Sequence, residues 1–259
     1  MTLSIIEQAV QRRVLDLGLA PGARILDAPC GAGALAMALR ERGYQMFGAD
    51  IDPAAAASLG DAFTIADLSR ALPWPDGFFD AALSVEGIEH LENRHAYVRE
   101  LHRVLKPGGM LVLTTPNTVS LRSRVRFGGS GFFHQDPRPL REAAPHPLHH
   151  IGLMTFPELR YALHTSGFRI TAVANTYIKP ISYLYVVLVP WAWLYTRIAF
   201  RKERDAAQRA VNREIRAALF SRSLLFGENV MVTAVRDWRR PAERGPLVLP
   251  AAGAGRRRA

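Results

Sequence analysis

Arg24-Ile-Leu-Asp-Ala-Pro-Cys-Gly-Ala-Gly33 reads as the end of a buried strand, a carboxylate, and a glycine turn that opens a helix. Ile25 and Leu26 are the apolar end of the strand and Asp27 closes it. Gly31 and Gly33 let the backbone turn sharply and approach a ligand where a Cβ would clash. Ala34 to Leu39 then continue as a helix. Such a corner binds nucleotides in α/β sheets, and its charge separates two ligand classes. A dinucleotide sets its pyrophosphate on the helix N-terminus, where a neutral or positive approach is favoured. Asp27, four residues before Gly31, would repel a pyrophosphate and attract a cationic group. Ala36 at the third fingerprint position keeps the dinucleotide pattern open, and the acid argues against it.

Working outward, Gln45-Met-Phe-Gly-Ala-Asp50 reads as a second apolar strand ending in an acid, placed to accept ribose hydroxyls. Thr64-Ile-Ala-Asp67 reads as a third, with its acid suited to an adenine amino group and Leu68 to the ring face. A solvated turn explains any one of Asp27, Asp50 and Asp67, but explains poorly why all three end strands. Ligands of such sheets bind beyond the carboxyl ends of the strands, so these acids gather on one rim.

Over roughly the first 175 residues, and again near 225–236, the chain resembles the class I S-adenosylmethionine-dependent methyltransferases of the small-molecule and glycan type. Ile25 to Gly33 looks like the family's first motif and Gly48-Ala-Asp-Ile-Asp-Pro53 like its second. Leu72-Pro-Trp-Pro-Asp-Gly-Phe-Phe-Asp80 is similar to the run before its fourth strand, and Leu101 to Pro116 to its helix, turn and fifth strand. The resemblance implies a Rossmann-like, doubly wound, mostly parallel seven-stranded sheet with a terminal antiparallel pair. It also implies that Asp27, Gly31 and Gly33 line the methionine part of the cofactor, Asp50 the ribose, and Asp67 and Leu68 the adenine, with Cys30, Ile51 and Glu86 also among the cofactor-binding residues.

A chain of 259 residues suits one α/β domain with an insertion. The reading is a domain over 1–236, with a lid at 117–153, an apolar and basic helical insertion at 180–222, and a disordered basic tail at 237–259. One cysteine, Cys30, excludes an internal disulfide. With an N-terminus that lacks signal-peptide order, it points to the cytoplasm, at the inner face of a membrane if the insertion meets lipid. A net charge of +10 suits nucleic acid, an anionic membrane or an anionic substrate. Arg122, Arg124 and Arg126, just after the fifth strand, would serve the last of these.

Leu3, Ile6, Val10, Val14 and Leu17 fit an amphipathic helix over 3–18. Alternating strands and helices follow to Pro116, which implies a parallel sheet covered on both faces. From Asn117 to Leu153 the pattern fails, and glycines and prolines predict an irregular lid over the rim. Thr155 predicts an N-cap with Pro157 in the first turn and Gly167 past the end. Phe168 to Val173 reads as the sixth strand and 225–236 as the seventh. Between them Ile181 to Phe200 is almost wholly apolar, rich in Tyr and Trp, and leads into the basic run Arg197 to Arg222. A bilayer span needs about 20 apolar residues, but Pro190 lies mid-run and Arg197 near its end. A hairpin or in-plane helix at a lipid surface stands beside a helix packed on the core or in a dimer.

After the fourth strand, Ala81 to Val85, comes Glu86-Gly-Ile-Glu-His90. If helical, this sets Glu86, Glu89 and His90 on one face. The arrangement resembles the metal site of small-RNA 2′-O-methyltransferases and ubiquinone-pathway O-methyltransferases, implying Mg2+ or Mn2+ held by Glu86, Glu89 and His90 with His149 and His150, or His146, from the lid. His90 is the candidate general base and Glu89 its catalytic companion. The function expected is methylation of an oxygen on a lipid-linked or cell-envelope saccharide or other amphipathic metabolite. An RNA 2′-O-methyltransferase and a non-catalytic scaffold that keeps the fold are the alternatives.

Overall fold

The computed structural model describes residues 2–136 and 138–237; the expected tail from 238 onward lies outside them. Its strands are β1 (Arg24–Asp27), β2 (Gln45–Asp50), β3 (Phe63–Ile65), β4 (Phe79–Val85), β5 (Leu105–Pro116), β6 (Phe168–Asn175) and β7 (Asn229–Arg236). They form one sheet in the order β3-β2-β1-β4-β5-β7-β6, with β7 antiparallel to both neighbours and the other pairs parallel. The helices are α1 (Ile5–Leu15), α2 (Ala34–Arg40), α3 (Ala56–Leu59), α4 (Arg94–Val104), α5 (Leu121–Ser130), α6 (Phe156–Thr165), α7 (Val189–Phe200), α8 (Ala206–Leu219) and α9 (Arg222–Phe226).

Each sheet face carries its own apolar layer. On one, Leu26, Leu111 and Val232 pack with Tyr97, Leu101, Phe156 and Leu163. On the other, Ile25, Leu83 and Val112 pack with Val10, Val14, Leu35 and Leu39. Adjacent residues of β1 thus serve opposite layers, as strand alternation requires. The run Leu72 to Asp76 is tied to α4 by Arg103, which donates to the carbonyls of Leu72 and Trp74 and pairs with Asp76 and Glu100. Thr155 caps α6 in a reciprocal box with Glu158.

Three expectations need correction. The segment 117–153 opens on helix α5, capped by Ser120, so only its later part is irregular. The first residues of 225–236 belong to α9, because the chain closes a helical turn at Phe226 before it enters β7. The apolar run from Ile181 to Phe200 is one helical rod, so of the two forms expected for it the helix holds and the hairpin does not: a 3-10 helix over Pro180–Leu188 runs into α7. Pro190 stays in the first turn of α7, where its missing N–H costs nothing. Among the described residues, Pro180–Phe200 is the one helix long and apolar enough to cross a membrane.

The rod has two apolar faces. Tyr185, Leu188, Val189 and Ala192 pack on Leu121, Leu225 and Phe226. Leu184, Val187, Trp191, Leu194, Tyr195 and Ile198, at helical spacing on the opposite face, are 52–76% exposed. The inner-face packing runs from Tyr185 to Ala192. In the sheet register Asn175 pairs with Val230 and Pro116 with Asn229, so the insertion leaves β6 and returns to β7 at the rim where β1, β4 and β5 end.

Candidate active site

At that rim lies a cavity of about 480 Å³, lined by Asp27, Asp50, Asp67, Glu86 and His90, by Ile6 and Glu7 of α1 with its N-cap Ser4, and by Pro147 and Leu148 of the lid. The local sequence builds its floor. Asp27 is 1% exposed at the end of β1, and Gly31 and Gly33 take φ of 52° and 79°, a region where a Cβ is strained. A Cβ on Gly33 would also stand 2.7 Å from Ser58 Oγ. The turn is held by Asp50, whose carboxylate accepts the Gly31 N–H at 2.8 Å and the Asp52 N–H at 3.0 Å. Tyr97, fully buried, donates to the Ala28 carbonyl and lies 3.2 Å from Ser84 Oγ.

Electrostatics set the site's preference. Burial, and then the charges of Glu7 and Asp50, raise the Asp27 pKa well above its ordinary value. Its Oδ1 is buried with no hydrogen-bond partner. A cation beside it would reverse that shift, whereas an anion would worsen it. Cys30 lines the same wall; burial, then Asp27 and Asp50, push its thiol up, so it stays a neutral thiol. Asp67 lies two residues past the end of β3, and the Ser69 N–H at 2.9 Å lowers its pKa. Ile51 is 59% exposed and Leu68 is buried, both on the cavity wall. Of the residues expected to line the cofactor, Asp27, Cys30, Gly31, Asp50, Ile51, Asp67, Leu68 and Glu86 border this one space, while Gly33 lies outside its lining and shapes the turn.

The acid and histidine cluster departs from expectation. Glu86 does not enter a helix: it turns with φ 47°, the one non-glycine residue with positive φ among the described residues, and Asn229 donates to it at 2.6 Å. A 3-10 turn then carries Ile88–His90. Glu86 consequently leaves the proposed ligand set, while Glu89, His90 and His150 bring one ligand atom each to within 4.8 Å of one another. His149 offers its carbonyl, 3.2 Å from His90 Nδ1. A carbonyl only accepts, so Nδ1 is the donor and a neutral His90 keeps a lone pair on Nε2. Glu89 is fully buried, accepts from Thr115 Oγ1 at 2.9 Å, and leaves Oε1 unpartnered. Burial raises the pKa of both Glu86 and Glu89, and the Glu86 charge adds to the shift at Glu89. Glu89 does not line the cavity, so His90 is the group that faces it. Burial, then His90, lowers the pKa of His150, favouring the neutral imidazole.

The expected anionic-substrate cluster is occupied by structural work. Arg122 pairs with the buried Glu228 at 3.3 Å and Arg124 donates to the Val119 carbonyl at 2.7 Å. Glu228 also meets His134 and Lys179. Asn229, Tyr97, Thr115, Glu7 and Leu148 are site residues that sequence reading passed over. Only Glu7 had a local signal, as the reciprocal partner of the Ser4 cap.

Residues 26–113 match the family described as "Methyltransferase domain". This segment is a class I S-adenosylmethionine-dependent methyltransferase domain. The chain is 42% identical over 116 residues to the demethylmenaquinone methyltransferase of Thermus thermophilus, a match covering 40% of this chain and 52% of that one. It is 36% identical over 109 residues to a ubiquinone biosynthesis O-methyltransferase of Xanthomonas campestris, covering 38% and 44%. The chain thus spans about half the length of the curated relatives it matches. Among solved structures, an S-adenosylmethionine-dependent methyltransferase from Archaeoglobus fulgidus superposes with TM-score 0.54 at 18% identity, over 88% of this chain and 94% of that one. The [4+2]-cyclase SpnF superposes with TM-score 0.51 at 21% identity, over 89% and 82%. These likenesses establish the seven-stranded methyltransferase fold.

Proposed function

We propose that this chain transfers the methyl group of S-adenosylmethionine to an oxygen of an amphipathic small molecule presented at the inner surface of a membrane. The observation that carries the acceptor class is the path of the insertion, which leaves and rejoins the sheet at the rim holding the cavity while exposing a continuous apolar face. An acceptor with an apolar tail would reach that rim along the same surface. Relatives named for menaquinone, for ubiquinone and for a phytyl hydroquinone support a small molecule. They lend nothing to a saccharide head group.

When bound, S-adenosylmethionine supplies a methyl group on a sulfonium, an activated electrophile. The residues then have a limited task. Asp27 with Glu7 and Asp50 offers negative charge to the cationic end, and Asp50 and Asp67 offer acceptors to hydroxyl and amino groups. Holding donor and acceptor in line supplies much of the acceleration. His90 Nε2, oriented by the His149 carbonyl, takes the acceptor hydroxyl's proton.

A divalent cation is a second reading, favoured by the convergence of Glu89, His90 and His150 and by the orphaned Glu89 Oε1. A carboxylate with two imidazoles suits Mn2+ or a similar ion, and a ligating histidine usually donates its other N–H to a carbonyl, as His90 does. Such an ion would lower the acceptor's pKa. Chelation should then abolish turnover, and added Mn2+ or Mg2+ restore it; undiminished turnover would leave His90 as the base alone. The acceptor class is tested by supplying labelled S-adenosylmethionine with lipid, glycan and RNA pools. Label in the organic-soluble lipid pool is expected, and label confined to water-soluble glycan or RNA would overturn the reading.

A further inference from the structure

We infer that the cleft between α7 and α8 is a phosphate site for the head groups of anionic membrane lipids, so that docking of the apolar rod is selective for lipid charge. This deepens the membrane-surface reading above and rests on it.

The sequence creates the cleft by a helical hairpin. Arg197 and Arg201 lie one turn apart near the end of α7, and Arg209, Arg213 and Arg216 recur at four- and three-residue spacing on α8. The turn at Lys202 to Asp205 brings the two sets face to face around a depression of about 220 Å³, closed by Phe200 and Asn212. Five arginines therefore line one space. Like charges brought together in this way repel unless an anion lies between them.

No carboxylate of the hairpin fills that role. Glu203 accepts the Asp205 N–H and Asp205 caps α8 through the Gln208 N–H. Glu214 is turned to the core, 2.7 Å from Arg160. Among the described residues none of the five arginines has an ion pair; Arg197 lies over the Trp193 ring, and Arg209 donates to the Arg204 carbonyl. The guanidinium fork suits phosphate oxygens.

Position selects the source of the phosphate. Arg197 and Arg201, which line the cleft, stand one turn beyond Leu194 and Ile198, the last residues of the exposed apolar face. An apolar face bordered by aromatic rings and then by arginines matches the succession from acyl chains to head groups in a bilayer interface. A soluble phosphate compound would have no use for the apolar face.

The test is flotation of the full chain with phosphatidylcholine vesicles and with vesicles that also contain phosphatidylglycerol. The wild type should bind the anionic vesicles more tightly. Arg209→Gln with Arg213→Gln should weaken that binding by about fivefold per arginine, roughly 25-fold together, with melting temperature and phosphatidylcholine binding unchanged. Trp191→Ser with Leu194→Ser should weaken binding to both vesicles. If the arginine variant holds anionic vesicles as tightly as the wild type while the Trp191 variant does not, the phosphate site is overturned and the membrane contact stands. If neither variant matters, both fall. Saturable binding of glycerol phosphate without binding to anionic vesicles would overturn the lipid source in favour of a soluble ligand.

Discussion

Asp27 concentrates the tension on which the site depends. Without a cation nearby, its burial and the charges of Glu7 and Asp50 favour the protonated form. A carboxyl whose folded pKa is raised adds stability below its unfolded value and loses it as pH climbs through the folded one. The unliganded protein should therefore weaken as pH rises from the ordinary carboxylate range to the raised titration of Asp27. Asp27→Asn should remove that contribution and raise the melting temperature at neutral pH. The same variant should bind S-adenosylmethionine more weakly, by about 1.5–3 kcal/mol, on the order of 10- to 100-fold. In the wild type, cofactor binding should release a proton and tighten with pH over that window. Calorimetry in buffers of different ionisation enthalpy checks the release. A variant both more stable and tighter binding would remove Asp27 from the cofactor site. Asp27 itself was legible because a strand-end acid before Gly31 and Gly33 is a local pattern. Asn229, which holds Glu86, was not: 143 positions separate them in the chain, and no spacing rule spans that distance. Nor does a sequence announce the left-handed turn at Glu86, which undid the expected helical face.

Elements were legible where their end signals were local. Thr155 and Glu158 mark α6, and β2 ran over the residues its apolar run predicted. Helix α5 was hidden because Gly128, Gly129 and Gly131 dominate the reading, although Ser120 was there to cap it and Gly131 ends it in a left-handed turn. The insertion misled through Pro190, which breaks a helix in mid-run but is harmless in a first turn. At this scale the run between β3 and β4 has no regular structure, and its backbone depends on Arg103. That side chain places its fork on two carbonyls and two carboxylates at 2.7–2.9 Å. Lysine has the charge without the fork. Arg103→Lys should leave the Leu72 and Trp74 carbonyls short of donors and cost about 1–3 kcal/mol, measurable as a lower urea midpoint at unchanged slope. The slope matters because a changed one would signal altered compactness in place of lost bonds.

At the scale of the whole molecule the charges of the described residues are segregated, a property that net charge conceals. The chain carries +10 overall, yet the cavity wall holds Glu7, Asp27, Asp50, Asp67 and Glu86. The arginines of α7 and α8 collect at the insertion instead. An RNA substrate would need cations along the path its phosphates take to the reacting atom, since phosphate contacts supply most of the affinity. Here the arginines that follow β5 are engaged, Arg122 by Glu228 and Arg124 by the Val119 carbonyl. The α7 and α8 cleft could still attract RNA through charge alone, and such binding would fade steeply with salt. Methyl transfer should therefore separate from RNA binding: labelled RNA captured at low salt should carry no methyl group, and the same protein at about physiological salt should release it while still methylating the lipid pool. Binding and methylation of RNA that both persist through the salt range would place its phosphates on the acidic rim, and would put the RNA 2′-O-methyltransferase alternative ahead of the lipid reading.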